Sequence, residues 1–304
     1  MLKRFTQPIF YFVLCCFLWG GHSLIALGQY KVKQKPHDKS KVRQKTAFER
    51  SQWWLGIKIG GNYTQANPTT RYSLYANTAT QATADAYDKK YQSFKRAAMQ
   101  FGVITSYTFW KGLSVSVQPT FKRSRYIYET NFVWQATTGS DRLEMNQNHV
   151  QTCDYLEFPV LLRYDFFREN ALKPFLQAGI SYAFLLNAFK DVQISGTDFA
   201  AGNTAFSNAS VNTNTFTLYN PSNFGVAVGG GICYDYGNAR FVLECIYKIG
   251  LNNITNGAMR YTNNEMNGIA DTFDDIKTNN LEISFGLQFP LKYLVTKLYK
   301  GVNP

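Results

Sequence analysis

Beyond residue 28, this chain has no run approaching the roughly 20 consecutive apolar residues that a membrane-spanning helix needs. If the remainder enters a bilayer, it must do so as a closed barrel, because open sheet edges cannot face lipid. Cysteine is scarce. Cys15 and Cys16 fall in the N-terminal apolar run, and only Cys153, Cys233 and Cys245 follow it. An odd set without metal-ligand spacing excludes a disulfide framework and a zinc site, so packed free thiols are expected. Histidine is scarcer still. His22 and His37 precede the patterned region, which leaves His149 without a partner at the spacing of a nucleophile and its base. It reads as an exposed loop histidine. No catalytic, cofactor-binding or metal residue is assigned, and an enzyme is not expected.

Two further patterns fail to make a site. Gly229-Gly230-Gly231 lies inside an alternating stretch and not ahead of a helix, so it is no phosphate loop. Glu265, Asp271, Asp274 and Asp275 fit no calcium-loop spacing and read as solvated loop charge.

Acidic residues are outnumbered, 20 against 32 Lys and Arg, for a formal charge of +12. The excess is local. Residues 31–45 hold Lys31, Lys33, Lys35, Lys39, Lys41, Arg43 and Lys45 against Asp38. The body of the chain is close to balanced, so its charge says little about a partner. Ahead of the basic arm, Lys3 and Arg4, the apolar run Ile9 to Trp19 and the small residues of Ala26-Leu27-Gly28 read as a secretory signal over 1–28. An exported basic arm, 29–52, points to a periplasmic protein, cell-wall polymer or lipid head group as its partner, and not to nucleic acid.

What the chain has in abundance is strict alternation. In Cys153–Asp165, Leu156, Phe158, Val160, Leu162 and Tyr164 form one apolar face, and Glu157, Pro159, Leu161, Arg163 and Asp165 form the other. Period two over this length is an extended strand between two environments. The same pattern predicts strands over 53–64, 97–109, 113–127, 173–188, 223–236, 239–252 and 280–290. Trp110-Lys111-Gly112 and Gly237-Asn238 are hairpin signals, the first with a left-handed glycine pairing 109 with 113. Long polar stretches at 65–96, 128–151, 189–222 and 253–279 alternate with the short turns. Eight strands joined alternately by long and short connections predict an all-β fold, an eight-stranded antiparallel up-and-down transmembrane β-barrel over 53–290, followed by a short tail, 291–304. An even strand number puts both termini on the periplasmic side. Pro119 and Pro159 interrupt adjacent strands, and local bulges are expected there.

Alternation alone does not say which face points inward. The apolar face of the last four strands carries no charge, and the polar face is crowded with Gly, Ala and Ser, which suits the tight interior of an eight-stranded barrel. The expectation is apolar outward, toward outer-membrane lipid. The inward charges Lys58, Glu157, Arg163, Asp165, Asp235, Arg240, Glu244, Lys248 and Glu282 would then form an ion-pair network filling the lumen, with no open pore. The register sends Cys233 and Cys245 to opposite faces.

Several motifs in order resemble the PorT-type outer-membrane β-barrel family of Bacteroidetes. They include Gly56-Ile57-Lys58-Ile59-Gly60-Gly61-Asn62, Leu113-Ser114-Val115-Ser116-Val117-Gln118-Pro119, Tyr155-Leu156-Glu157-Phe158-Pro159-Val160-Leu161-Leu162-Arg163-Tyr164, Lys173-Pro174-Phe175-Leu176-Gln177-Ala178-Gly179 and Tyr247-Lys248-Ile249-Gly250-Leu251-Asn252. The resemblance implies an outer-membrane barrel in a family whose founding member belongs to the type IX secretion system. The expected function is a non-enzymatic integral outer-membrane protein serving secretion or envelope assembly. An outer-membrane enzyme, a small-solute channel and a soluble lipocalin-like binder are the alternatives.

Overall fold

Eight extended segments pair edge to edge until the last meets the first. The computed structural model describes residues 53–73, 87–110, 112–135, 142–167, 170–199 and 202–291, within one compact unit, Lys45–Pro304. The expected signal, the basic arm and all of the C-terminal tail but Leu291 lie outside these residues. The strands are β1 (Trp53–Thr70), β2 (Tyr87–Gln92), β3 (Ala97–Trp110), β4 (Leu113–Val117), β5 (Thr120–Gln135), β6 (Arg142–Asp165), β7 (Leu172–Asp198), β8 (Thr204–Asn214), β9 (Ser222–Tyr236), β10 (Ala239–Gly250) and β11 (Asp275–Pro290). β1 pairs with β3, and β3 with both β4 and β5. These two pair with β6, then β6 with β7, β7 with β9, β9 with β10, β10 with β11, and β11 with β1. Every pairing is antiparallel, and β4 and β5 act as one interrupted strand.

Burial along this ring is the inverse of a soluble protein's. On β1, Trp53, Leu55, Ile57 and Ile59 are exposed, while Trp54, Lys58, Asn62 and Thr64 are buried. On β11, Ile283 and Phe285 are exposed between buried Glu282, Ser284 and Gln288. The outward face carries aromatic residues at two levels. Trp53, Trp110, Tyr164 and Tyr236 lie near the short turns, and Phe101, Tyr182, Phe184 and Phe224 lie farther along. Amphipathic rings at both edges of an apolar band suit the two interfaces of a bilayer.

The turns follow their residues. Tyr236 pairs with Ala239 around Gly237, whose φ is 58°. Gly112 takes a φ of 85°, the left-handed conformation that glycine enters without steric cost. Leu113, however, pairs with Trp110 and not with Phe109, because the register shifts between Thr108 and Trp110. Cys233 is buried and Cys245 exposed, and all three described cysteines are free.

Three expectations are corrected. First, the polar stretches are not all loops. β5 runs to Gln135 and β6 begins at Arg142, so most of 128–151 is a hairpin. β7 continues to Asp198 and pairs with β8 across 189–222. β1 extends to Thr70, β2 occupies 87–92, and β11 begins at Asp275. Outside the apolar band the outward face of these extensions no longer meets lipid, so the hydrophobic alternation that marks a strand fades while the backbone ladder continues.

Second, the prolines make no bulge. Residue pairs on either side of Pro119 and Pro159 keep one register. Each proline retains the accepting half of its ladder position: the Pro159 carbonyl takes the Gln118 N–H at 3.1 Å, and the Pro119 carbonyl takes the Val103 N–H at 2.9 Å. The Gln118 carbonyl, denied an N–H from Pro159, accepts the Thr120 hydroxyl at 2.7 Å instead. Third, a bulge not expected from sequence lies at Asp154/Tyr155, where β7 carries one extra residue, Leu186. Asn187, expected inward, is exposed there, and beyond it Ala188, Lys190 and Val192 turn inward.

Candidate functional site

The ring's interior is the chemically distinctive part of the molecule, and it is built in layers. Nearest the short turns, Arg240 Nε reaches Asp235 Oδ1 at 2.7 Å and its Nη2 reaches Oδ2 at 3.0 Å. Lys173 joins the same carboxylate. Arg163 pairs with Asp165 at 2.6 Å, lies 3.6 Å over the Phe175 ring, and donates to Cys233 Sγ at 2.9 Å. Arg240 lies 4.0 Å over Trp54. Inward-facing guanidinium groups are thus held by both carboxylates and ring faces.

In the next layer Lys58 donates to Gln118 Oε1 at 2.7 Å and sits 3.3 Å from Glu244. Glu244 also accepts Ser284 Oγ at 2.8 Å and Gln177 Nε2 at 3.1 Å. Above it four charges alternate around a closed quartet. Lys122 and Lys248 each contact both Glu157 and Glu282, at 2.7 and 3.3 Å for Lys122 and at 2.9 Å twice for Lys248. All four side chains are almost wholly buried. Each ion thus has two counter-ions, the condition under which buried charge is tolerated. Beside the quartet is a small cavity lined by Lys122, Glu157, Lys248 and Asn280. It has room for a water or two.

The nine residues expected from sequence therefore lie on the inward side in four separate ion-paired groups, and not in one continuous network. Lys122 and Lys173 were absent from that set, although both lie on the inward face of their strands. Period two carried the signal for Lys122, which shares a face with Ser116, Gln118 and Thr120.

Toward the long-strand end the interior changes character. Tyr126, Tyr128, Tyr155, Leu185, Val192, Leu218, Tyr219, Ile254, Met266, Phe273 and Ile276 form an apolar core. The segment between β10 and β11 folds into it through a 3-10 turn, Gly257–Met259, and a short helix, α1 (Asn264–Gly268), each capped by an asparagine side chain. Asp271 and Asp274 close the arrangement. Lys89 lies 3.2 Å from Asp274 and donates to the Thr272 carbonyl at 2.6 Å. Lys190 pairs with Asp271, which also accepts the Tyr128 hydroxyl at 2.8 Å. Tyr91 donates to Asp274 at 2.6 Å.

Two sequence readings fail here. Asp271 and Asp274 are buried ion-pair partners, Asp275 pairs with Arg260, and only Glu265 of the four is exposed loop charge. His149 is fully buried on β6, stacked at 4.3 Å on Tyr128, 2.6 Å from Thr130 Oγ1 and 3.6 Å from Asp271. These contacts are long-range, so no local spacing announces them. Among the described residues no group of His, Cys, Asp and Glu is placed to hold a metal ion.

The model of the outer membrane protein beta-barrel domain family matches residues 37–256. Among solved structures, the chain is similar to OprG of Pseudomonas aeruginosa at 13% identity, with 81% of this chain and 99% of that one covered and a TM-score of 0.35. It is also similar to Neisserial surface protein A at 11% identity, with 79% and 97% covered and a TM-score of 0.29. Ail of Yersinia pestis aligns at 12% identity, with 78% and 99% covered and a TM-score of 0.27. No curated protein matches the chain. With most of its length matched by the family model, this chain belongs to the outer membrane protein beta-barrel domain family, whose members are outer-membrane proteins.

Proposed function

We propose that this protein is a non-enzymatic integral outer-membrane protein, an eight-stranded up-and-down transmembrane barrel with a filled lumen. Its short turns and both termini face the periplasm, and its long strand extensions face the outside. The observation that carries this reading is the inverted amphipathicity: an exposed apolar belt, edged by aromatic residues, surrounds buried charges that are paired with one another. Ion pairs bridging the interior among the described residues speak against a channel. The sole described histidine is buried against Tyr128 and Asp271, not poised at a rim beside a nucleophile, which speaks against an enzyme. The basic arm from Lys31 to Lys45 would engage a periplasmic protein, cell-wall polymer or lipid head group. The PorT-type motifs support a place in secretion, of type IX, or in envelope assembly. Heat-modifiability tests the reading: the membrane-fraction protein is run on a gel with and without boiling. A mobility shift on boiling is expected. A soluble periplasmic protein with no shift would overturn it.

A further inference from the structure

We infer that a basic patch on one side of the wall docks the phosphorylated head groups of lipids in the leaflet it faces. The inference rests on the membrane reading above and adds a lipid class to it. The patch is made by an irregularity in the wall. β2 and β3 both pair with β5, with Gln92 opposite Ile127 and Gln100 opposite Lys122. Residues 93–99 must therefore face the shorter stretch 123–126, and the surplus chain bulges outward. Phe94 takes a φ of 53° in this bulge, a left-handed conformation uncommon outside glycine. Gln65 ties the bulge to β1 through Ser93 Oγ at 3.0 Å.

The bulge lifts Lys95 and Arg96 into the open beside Arg125 on β5, and Lys277 is exposed on β11 across β1. Among the described residues none of these four cations is in an ion pair. Of the nearby carboxylates, Asp154 takes both ends of the Arg123 fork at 2.7 and 2.9 Å, Asp275 pairs with Arg260, and Glu129 accepts from the neutral amide of Gln92. Directly below lie the apolar residues that acyl chains would cover, Met99, Phe101 and Phe121, with the two Phe rings stacked at 5.1 Å. Arg125 is four residues beyond Phe121, about 13 Å along the strand at the usual rise. That is head-group depth above an aromatic girdle. Across the ring, the corresponding edge holds Asn187, Ser222, Asn223 and Asn252, with no cation. Unpaired arginine and lysine above an apolar wall match a phosphate monoester on a lipid: the guanidinium fork binds its oxygens, the ammonium adds charge, and the wall takes the chains.

The test titrates the folded full-length protein in zwitterionic detergent with lipid A carrying its phosphates, and separately with dephosphorylated lipid A. Bound lipid is counted by native mass spectrometry. The phosphorylated lipid is expected to bind more tightly, with added salt weakening it. The combined variant K95Q/R96Q/R125Q/K277Q is expected to lose at least about tenfold of that preference, while K95R/K277R retains it. The gel shift on boiling is checked first for each protein, so loss of the barrel itself is read separately from loss of the patch. Equal binding of the two lipids would overturn the inference. So would an unaltered preference in the fourfold variant, or complete competition by inorganic phosphate at the same phosphate concentration.

Discussion

Lys122 bridges Glu157 and Glu282 in the buried quartet, so its replacement by methionine leaves two inward carboxylates sharing a single counter-ion, Lys248. Removing one member of a buried ion pair costs about 3–5 kcal/mol, because the partner's charge stays behind without compensation. Lys122→Met is therefore expected to destabilise the fold by about 3 kcal/mol, read as a lower temperature for loss of the fast-migrating gel band. Lys173→Met should cost distinctly less, since Arg240 still holds Asp235 by two hydrogen bonds. Equal losses in the two variants would contradict the assignment of the quartet as the tighter unit. Asp271 lies beyond the apolar belt and carries a pH prediction. Burial pushes its carboxyl up, but Lys190, His149 and Lys89 outweigh burial and hold it well below the usual carboxylate range. A depressed folded-state value contributes stability above the unfolded value, about 3.9, and that stability is lost as pH falls through the folded one. Burial pushes the His149 imidazole down to about 3. It too therefore favours the folded segment at neutral pH, and that contribution declines as pH falls below about 6.5. The 251–274 segment should be protected from amide exchange at neutral pH and loosen progressively below about pH 6, with the share due to Asp271 lost last. Asp271→Asn should expose the segment at neutral pH. Unchanged protection from about pH 7 down to about pH 4 would contradict the buried, neutral His149.

The elements show where sequence reading succeeds and where it stops. Within the belt, one face must meet lipid and the other must fill a narrow interior, so each strand reads as apolar against small or charged residues. All eight belt segments were legible for that reason, and so were the places of the short turns, though the register at Trp110–Leu113 was not. Beyond the belt this contrast disappears, and β2, β8 and the upper part of β6 have no comparable signature. The quartet was half legible: the side of the wall follows from period two, but which lysine meets which glutamate depends on register across four strands. The partners of His149 and Asp271 come from β5, β6, β7 and a distant loop, and were not legible at all. Two substitutions test the element-level account. Pro159→Ala restores an N–H opposite the Gln118 carbonyl and should stabilise the wall by up to about 1 kcal/mol. Chemical denaturation in lipid vesicles measures it, and a clear loss would mean that the proline fixes a bend the ladder needs. Gly229→Val should prevent folding, because even a methyl at that position comes 2.3 Å from the Cys245 carbonyl oxygen.

For the whole molecule, the account rests on its outward face meeting hydrocarbon. The interior layers then have a clear physical role. Small residues let the wall close tightly, paired charges make a polar interior tolerable, and the aromatic core under the long extensions seals the far end. Such a molecule should pass no measurable current in a planar bilayer, and discrete conductance steps would show the filled interior to be wrong. The direct test uses Cys245, which points outward in the middle of the belt while Cys153 and Cys233 are shielded inside. A spin label on Cys245, with the protein folded in lipid vesicles, reports collisions with dissolved oxygen and with a water-soluble nickel chelate. Strong oxygen and negligible nickel accessibility is the predicted result. Strong nickel accessibility at Cys245 would put water against the apolar belt and contradict the account.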